Sequence, residues 1–151
     1  MVLHSTRSGL AGPEALDNEY ALTINWFLNP NAQASAHRVI GHSPGQHAQL
    51  VSDDLEAWHA RTYNYTHLGI EFCQPRPTDP FSSWQIETGA MVVAAWCHKY
   101  GIIPSRDTIV RHQDIPPGKE DGKTDPGELF PYDSFLSKVA EAYSARLSGK
   151  T

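Results

Sequence analysis

Apolar residues alternate with polar ones in several short segments of the chain and recur with a helical period in longer ones. The short segments predict strands at 2–5, 35–40, 46–51, 68–72 and 108–112. The longer segments predict helices from 13 to about 28, from Ser82 to about 100, and over 132–147. This alternation, without repeats, predicts a single α/β domain in which helices flank a central mixed β-sheet.

Glycine and proline residues mark the connections between these elements. The loop 41–45 joins the second and third predicted strands into a hairpin. The first helix, with Leu16, Tyr20 and Ile24 near one stripe, is predicted to be core scaffold. Residues 113–127 are rich in proline, glycine and charge and show no periodicity, which predicts a long loop of the kind that is usually functional or mobile.

The composition is that of an ordinary globular protein, with 40% hydrophobic and 19% charged residues. A chain of 151 residues is long enough to bury a core without disulfide or metal staples. The net charge of -5 argues against nucleic-acid binding, because that function requires clustered Lys and Arg. No run approaches about 18 consecutive apolar residues, so membrane insertion is not expected. We expect a monomer.

Two cysteines, Cys73 and Cys97, lie in no metal-binding spacing. They could form one disulfide at most, but two reduced thiols that act as small hydrophobic side chains are the favoured interpretation. Cys73 follows Glu71 by two residues in an extended segment, so the two side chains are expected to share a face.

His4, His112 and Asp125 are candidate metal ligands. Catalytic zinc is held by three protein groups of this kind, and the fourth position is left for water. Two of the three lie at the ends of predicted strands, and the third lies in the loop 113–127. The chain has 8 histidines, however. The alternative is that the two histidines are ordinary strand-end residues while Asp125 caps a turn before Pro126.

Hydrolysis of an amide also needs a proton shuttle and a group that stabilises the oxyanion. Glu71 is the candidate base, because it is a carboxylate within a segment that otherwise resembles a buried strand. Its alternative is a strand-end glutamate that faces solvent or pairs with a basic side chain. Lys123 stands two residues before Asp125 and would point to the same side of an extended loop, although an exposed loop lysine is the commoner outcome.

Six sequence blocks resemble zinc-dependent N-acetylmuramoyl-L-alanine amidases of the superfamily that includes AmpD-type amidases, phage endolysin amidase domains and peptidoglycan recognition proteins. They occur in the order that the family has, and they cover nearly the whole chain. The blocks are VLHST (2–6), SAHRVI (35–40), AWHA (57–60), LGIE (68–71) preceded by Asn64, RHQDI (111–115) and KTDPG (123–127).

The resemblance implies an amidase/PGRP-like fold, with a zinc ion held by His4, His112 and Asp125. It also implies that Glu71 activates the attacking water and that Lys123 stabilises the oxyanion. These roles come from the family and not from the spacing of the residues.

Ala36 stands where some relatives carry a catalytic tyrosine, so the chain is similar to the branch of the family that uses Glu71. The implied reaction is hydrolysis of the amide bond between N-acetylmuramic acid and L-alanine in peptidoglycan. Two alternatives stay open. One is a non-catalytic module that binds peptidoglycan or muropeptides, and the other is a zinc peptidase that acts on the stem peptide.

Four further residues are candidates for the substrate groove. Trp58 and His59 occupy a position where the family carries such a pair, although Trp58 as core filler is an equal alternative. His37 alternates along a predicted strand and could face the groove or the core, and a structural role is favoured. Asn64 is expected to pin a loop more than to bind substrate.

Residues 1–151 are expected to form one amidase catalytic domain excised from a longer chain, because only three residues precede His4. No basic segment followed by an apolar run is visible at the N-terminus. The localisation stays open between a phage lysin released at lysis and a secreted or cytoplasmic bacterial amidase that acts on the cell wall.

Overall fold

The computed structural model describes residues 1–149, in which one five-stranded sheet has the order β3-β2-β4-β1-β5. The strands are β1 (Val2–Ser5), β2 (Arg38–Ile40), β3 (His47–Gln49), β4 (Gly69–Phe72) and β5 (Val110–Arg111). Neighbouring strands are parallel except β2 and β3, which form the predicted hairpin with shorter strands than expected. The predicted single α/β domain with a mixed sheet is confirmed.

Four α-helices accompany this sheet in the described part of the chain, namely α1 (Ala15–Leu28), α2 (Ser83–Tyr100), α3 (Pro116–Glu120) and α4 (Tyr132–Leu147). A capping box begins α2, since the side chains of Ser82 and Gln85 each bond to the other's backbone. The helix ends at Gly101, whose φ of 64° is the left-handed conformation that glycine adopts readily. None of the described helices is long and apolar enough to span a membrane.

One face of the sheet forms the main hydrophobic core. Successive side chains of a strand point to opposite sides, so Leu3, Ile70 and Phe72 lie on the same face. They pack there with Trp96 of α2 and Phe135 of α4, and all five side chains are buried. The Phe72 and Phe135 rings meet edge-to-face with centroids 6.0 Å apart, a favoured arrangement for aromatic pairs.

The other face of the sheet carries polar side chains at its centre. His4 of β1 and Glu71 of β4 are direct partners in the parallel register and are both buried. Both line one groove, together with Glu19 and Thr23 of α1. The chemistry predicted from the sequence therefore lies on the sheet face that α1 overlooks.

The first helix differs from the prediction that it is core scaffold. Its buried stripe consists of Ala15, Glu19 and Thr23, spaced four residues apart, whereas the predicted apolar stripe is only partly buried. Because α1 stands over the polar face of the sheet, the side chains that it buries there are mainly polar. The helix thus forms part of the groove wall.

Residues 113–127 contain more regular structure than was predicted. A 3₁₀ turn at His112–Asp114 and the short helix α3 occupy the first half of this segment. Proline can start a helix because the first N–H groups have no partner within the helix anyway. The strand predicted at 108–112 shrinks to two residues, and His112 lies in the turn that follows it.

Cys73 and Cys97 are buried free thiols. The Cys73 sulfur lies 3.9 Å from the hydroxyl of Thr23, which places it beneath α1. Burial raises the pKa of the Cys73 thiol, so it stays protonated and unreactive at neutral pH.

Candidate active site

His4, His112 and Asp125 meet at the ends of two neighbouring parallel strands. β1 and β5 run side by side, which brings the rings of His4 and His112 to a centroid distance of 4.3 Å. Asp125 reaches the same point from the loop after α3. One ligand atom of each residue lies within 4.8 Å of the other two, and all three residues are buried.

The Asp125 carboxylate faces both imidazoles. Its Oδ1 lies 3.2 Å from Nδ1 of His112, and its Oδ2 lies 3.6 Å from Nδ1 of His4. Burial disfavours the ionised carboxylate, but the two histidines outweigh this effect and lower the pKa of Asp125 below its usual range. Burial also lowers the pKa of His4, which favours the neutral imidazole that binds metals.

This set of donors fits a zinc ion. Two imidazole nitrogens and one carboxylate oxygen are the ligand types of catalytic zinc sites that keep one position open. Both histidines turn Nδ1 toward the carboxylate, so the three donor atoms converge on one place, and all three residues line the groove. The residues present are therefore those that a hydrolytic zinc site requires.

The loop that carries Asp125 is fastened to strand β1 and to the turn after β5. The backbone N–H of Ser5 donates to Asp125 Oδ2 at 3.3 Å, and that of Gln113 donates to the Asp125 carbonyl at 3.0 Å. The Arg7 guanidinium donates to the carbonyl of Pro126 at 3.1 Å. These bonds hold the carboxylate near His4 through protein contacts alone.

Gly118 allows α3 to lie directly behind His112. A Cβ atom at this position would stand 1.8 Å from the carbonyl oxygen of His112, a distance that no side chain tolerates. The glycine therefore sets how closely α3 approaches the second histidine of the cluster.

Glu71 lies directly opposite His4 in the register of β1 and β4, and the residue is only 9% exposed. Burial raises the pKa of Glu71 well above its usual value, and the carboxylates of Asp125 and Glu19 add to this effect. The Lys123 ammonium opposes it. A carboxyl group whose pKa is raised takes up a proton more readily, which suits a group that must accept a proton and then return it.

Lys123 is exposed and lines the groove. Its backbone N–H donates to the carbonyl of Gly118 at 2.8 Å, which fixes the segment between α3 and Asp125. The Lys123 charge lowers the pKa values of both Glu71 and His4. The ammonium therefore acts electrostatically on the floor of the groove.

The groove has a volume of about 680 Å³ and passes over His4, Glu71, His112 and Asp125. Its wall includes Leu22 and Trp26 from α1, and Trp58 and His59 from the loop that precedes β4. Trp26 is 54% exposed and Trp58 is 57% exposed. The groove thus combines a polar floor with an apolar rim that a large substrate can contact.

His37 and Asn64 lie outside this groove. His37 is buried, its Nδ1 accepts the N–H of Gly69 at 3.0 Å, and its Nε2 donates to the carbonyl of Leu55 at 2.9 Å. The Asn64 side-chain oxygen accepts the N–H of His59 at 2.9 Å and that of the next residue at 2.6 Å. Both side chains hold local backbone in place, His37 at the start of β4 and Asn64 at the loop that carries His59.

The family model of the N-acetylmuramoyl-L-alanine amidases, Amidase_2, matches residues 1–128 of the chain. The chain belongs to this family. The family that the sequence blocks resemble is thereby confirmed, and so is the expected enzyme class, an N-acetylmuramoyl-L-alanine amidase.

Relatives of this amidase agree in sequence and in fold. N-acetylmuramoyl-L-alanine amidase A of Achromobacter lyticus is 31% identical over 141 residues, covering 82% of this chain and 78% of the relative. The crystal structure of a selenomethionine AmpD derivative superposes with a TM-score of 0.67 at 27% identity, covering 91% of this chain and 82% of AmpD. The Staphylococcus aureus hydrolase AmiA shares the fold, with a TM-score of 0.69 at 18% identity over 100% of this chain and 75% of AmiA.

Glu19 is a groove residue of this amidase that the sequence analysis did not single out. It is fully buried on α1, and its carboxylate accepts hydrogen bonds from the hydroxyl groups of Thr6 and Ser8. The sequence prediction for this helix was based on its apolar residues, and Glu19 is not among them. The signal that reveals it is the spacing of Ala15, Glu19 and Thr23, which places the carboxylate on one helical face with two small residues.

Proposed function

We propose that the chain hydrolyses the amide bond between the lactyl group of N-acetylmuramic acid and L-alanine in peptidoglycan, with zinc as its cofactor. The observation that carries the proposal is the convergence of His4, His112 and Asp125 within 4.8 Å at the floor of a groove that also contains Glu71. Membership in the amidase family supports the reaction, and the donor set supports the metal.

His4, His112 and Asp125 would hold the ion. The chemistry that zinc supplies in hydrolases is to acidify water and to polarise a carbonyl group. The protein contributes the positions of the ligands, because the strand neighbours β1 and β5 and the fastened loop of Asp125 bring them together.

Glu71 is proposed to take a proton from the attacking water and to return it to the nitrogen of the leaving L-alanine. Its place opposite His4 in the register of β1 and β4 supports this role, and its raised pKa suits a group that must gain and lose a proton in one cycle. Lys123 is proposed to stabilise the negative charge that develops on the carbonyl oxygen, because its ammonium lines the groove and acts on Glu71 and His4. Arg7 also lines the groove, but its guanidinium is already bonded to Gln74 and to the carbonyl of Pro126.

Replacing Lys123 with methionine is expected to lower kcat on purified peptidoglycan by about 100- to 1,000-fold, the usual cost of removing one oxyanion donor. Methionine keeps the length and apolar stem of the side chain and removes the charge, so zinc content and thermal stability should stay unchanged. Lys119→Met is the matched control, because Lys119 is also exposed on this segment but lies outside the groove. Equal kcat values for both variants would contradict the role of Lys123.

Removal of the metal tests the proposed function itself. We expect about one zinc ion per chain after dialysis, loss of activity in a chelator such as 1,10-phenanthroline, and recovery when zinc is returned. Mass spectrometry of digested cell walls should show peptides with free L-alanine N-termini. Cleavage within the stem peptide would indicate a peptidase, and binding without any cleavage would indicate a recognition module, so either result would overturn the proposal.

A further inference from the structure

His59 lies between the candidate ligand His4 and a backbone carbonyl. The Nδ1 atom of His59 is 3.0 Å from Nε2 of His4, and its Nε2 atom is 2.9 Å from the carbonyl oxygen of His67. The two imidazole rings stand edge to face with centroids 5.1 Å apart. His4, His59 and the carbonyl of His67 are therefore connected by consecutive hydrogen bonds.

The direction of these bonds follows from the chemistry of their end groups. A carbonyl oxygen can only accept, so Nε2 of His59 must carry a hydrogen and donate it to His67. In a neutral imidazole the other nitrogen, Nδ1, then has a lone pair and accepts. The donor that it meets is Nε2 of His4. His4 is left with a lone pair on Nδ1, the atom that faces Asp125.

We propose that His59 is a positioning residue that fixes the tautomer of His4 and thereby presents Nδ1 of His4 to the metal. The inference rests on the proposed zinc site and deepens it, because it explains why one particular nitrogen of His4 is available. In the opposite tautomer Nδ1 of His4 would carry a hydrogen and could not act as a ligand. Partners of this kind orient metal-binding histidines in many sites.

The protein holds His59 in place from two sides. The backbone N–H of His59 donates to Asn64, which fixes the loop. On the other side, a Cβ atom on Gly69 would stand only 2.5 Å from the His59 ring, so glycine is needed there for the ring to lie against β4. His37 in turn accepts the N–H of Gly69 and keeps that end of β4 in register. Three of the four groove candidates, His59, Asn64 and His37, thus belong to the set of contacts behind His4.

The test measures zinc affinity by competition with a chromophoric chelator, using the complete chain. His59→Phe keeps the ring and removes both hydrogen bonds, and it should weaken zinc binding by about 10- to 100-fold, the usual effect of losing such a partner. His59→Asn should recover part of this loss, because its side-chain oxygen can accept from His4 where Nδ1 did. His67→Ala is the matched control with unchanged affinity, since only the His67 carbonyl takes part.

A second measurement needs no variant. Nitrogen-15 NMR of the histidine rings in the metal-free protein should show both His4 and His59 protonated at Nε2 and unprotonated at Nδ1. A His4 ring protonated at Nδ1, or a His59→Phe protein that binds zinc as tightly as the wild type, would overturn the inference. A wild-type protein that binds no zinc would overturn the proposed function instead, and the NMR result would still decide the direction of the hydrogen bonds.

Discussion

Glu71→Gln is expected to lower kcat on peptidoglycan by about 100- to 10,000-fold, the range that a general base contributes. Glutamine has the same shape but cannot take a proton from water or return one to the leaving nitrogen. Zinc should remain bound, because Glu71 is separate from the three converging ligand atoms. The measurement is kcat on purified peptidoglycan together with the zinc content of each preparation.

The Glu71 variant should fold as well as the wild type. Burial raises the pKa of Glu71, so at neutral pH the interior disfavours its ionised form, and an uncharged amide removes that cost. We therefore expect a Tm at pH 8 that is no lower than that of the wild type. Glu87→Gln on the exposed surface of α2 is the control. Near-normal kcat with normal zinc content in the Glu71 variant would refute its role as the base.

Asp125→Ala should abolish zinc binding and reduce hydrolysis by about a thousandfold or more, since the metal contributes several kcal/mol of stabilisation to the transition state. The change removes one of three ligands and also leaves the N–H of Ser5 without its buried acceptor. Zinc content after dialysis and kcat on peptidoglycan are the quantities to compare.

The same substitution should lower the stability of the metal-free protein at neutral pH. The pKa of Asp125 is depressed in the folded state, where Nδ1 of His112 lies 3.2 Å from its carboxylate oxygens, so its ionised form stabilises the fold above the ordinary aspartate pKa of 3.8. This contribution to the free energy of unfolding is lost as the pH falls through the pKa that Asp125 has in the folded protein. Asp114→Ala is the control, because that carboxylate is exposed on the same segment. Unchanged zinc affinity in Asp125→Ala would show that the ligand set is different.

The elements whose signals are local could be predicted from the sequence. The helix α2 has a capping box at Ser82 and a glycine at its end, and both signals stand within a few residues of the boundary that they define. The strand β4 is a short apolar run closed by proline-rich sequence. In such elements neighbouring residues decide the conformation, so the pattern is sufficient.

The helix α3 could not be predicted in this way. Its sequence, Pro-Pro-Gly-Lys-Glu, has the composition of a loop. Gly118 is required because α3 lies very close to His112. This contact forms only in the folded chain, so the local sequence pattern does not indicate it. Tertiary packing therefore stabilises a helix that intrinsic propensity disfavours.

The residues of the candidate site, like the secondary structure, could be predicted only in part. The sequence alone could propose His4, His112 and Asp125 only as one combination among several, because the three come from distant segments and strand order brings them together. The resemblance to the amidase family selected this combination of ligands from the others. The hydrogen bond between His4 and His59 depends on the contact of a loop with a strand 55 residues away, and no spacing rule indicates it.

In β1 and β4, side chains of the hydrophobic core alternate with side chains of the candidate active site. His4 alternates with Leu3 along one strand, and Glu71 alternates with Ile70 along its partner. Inserting or deleting a single residue in either strand would turn the reactive side chains into the core and the core side chains into the groove. Variation in chain length is therefore expected in the connecting segments and the rim of the groove, because a change of length within β1 or β4 would disrupt the site and the core together.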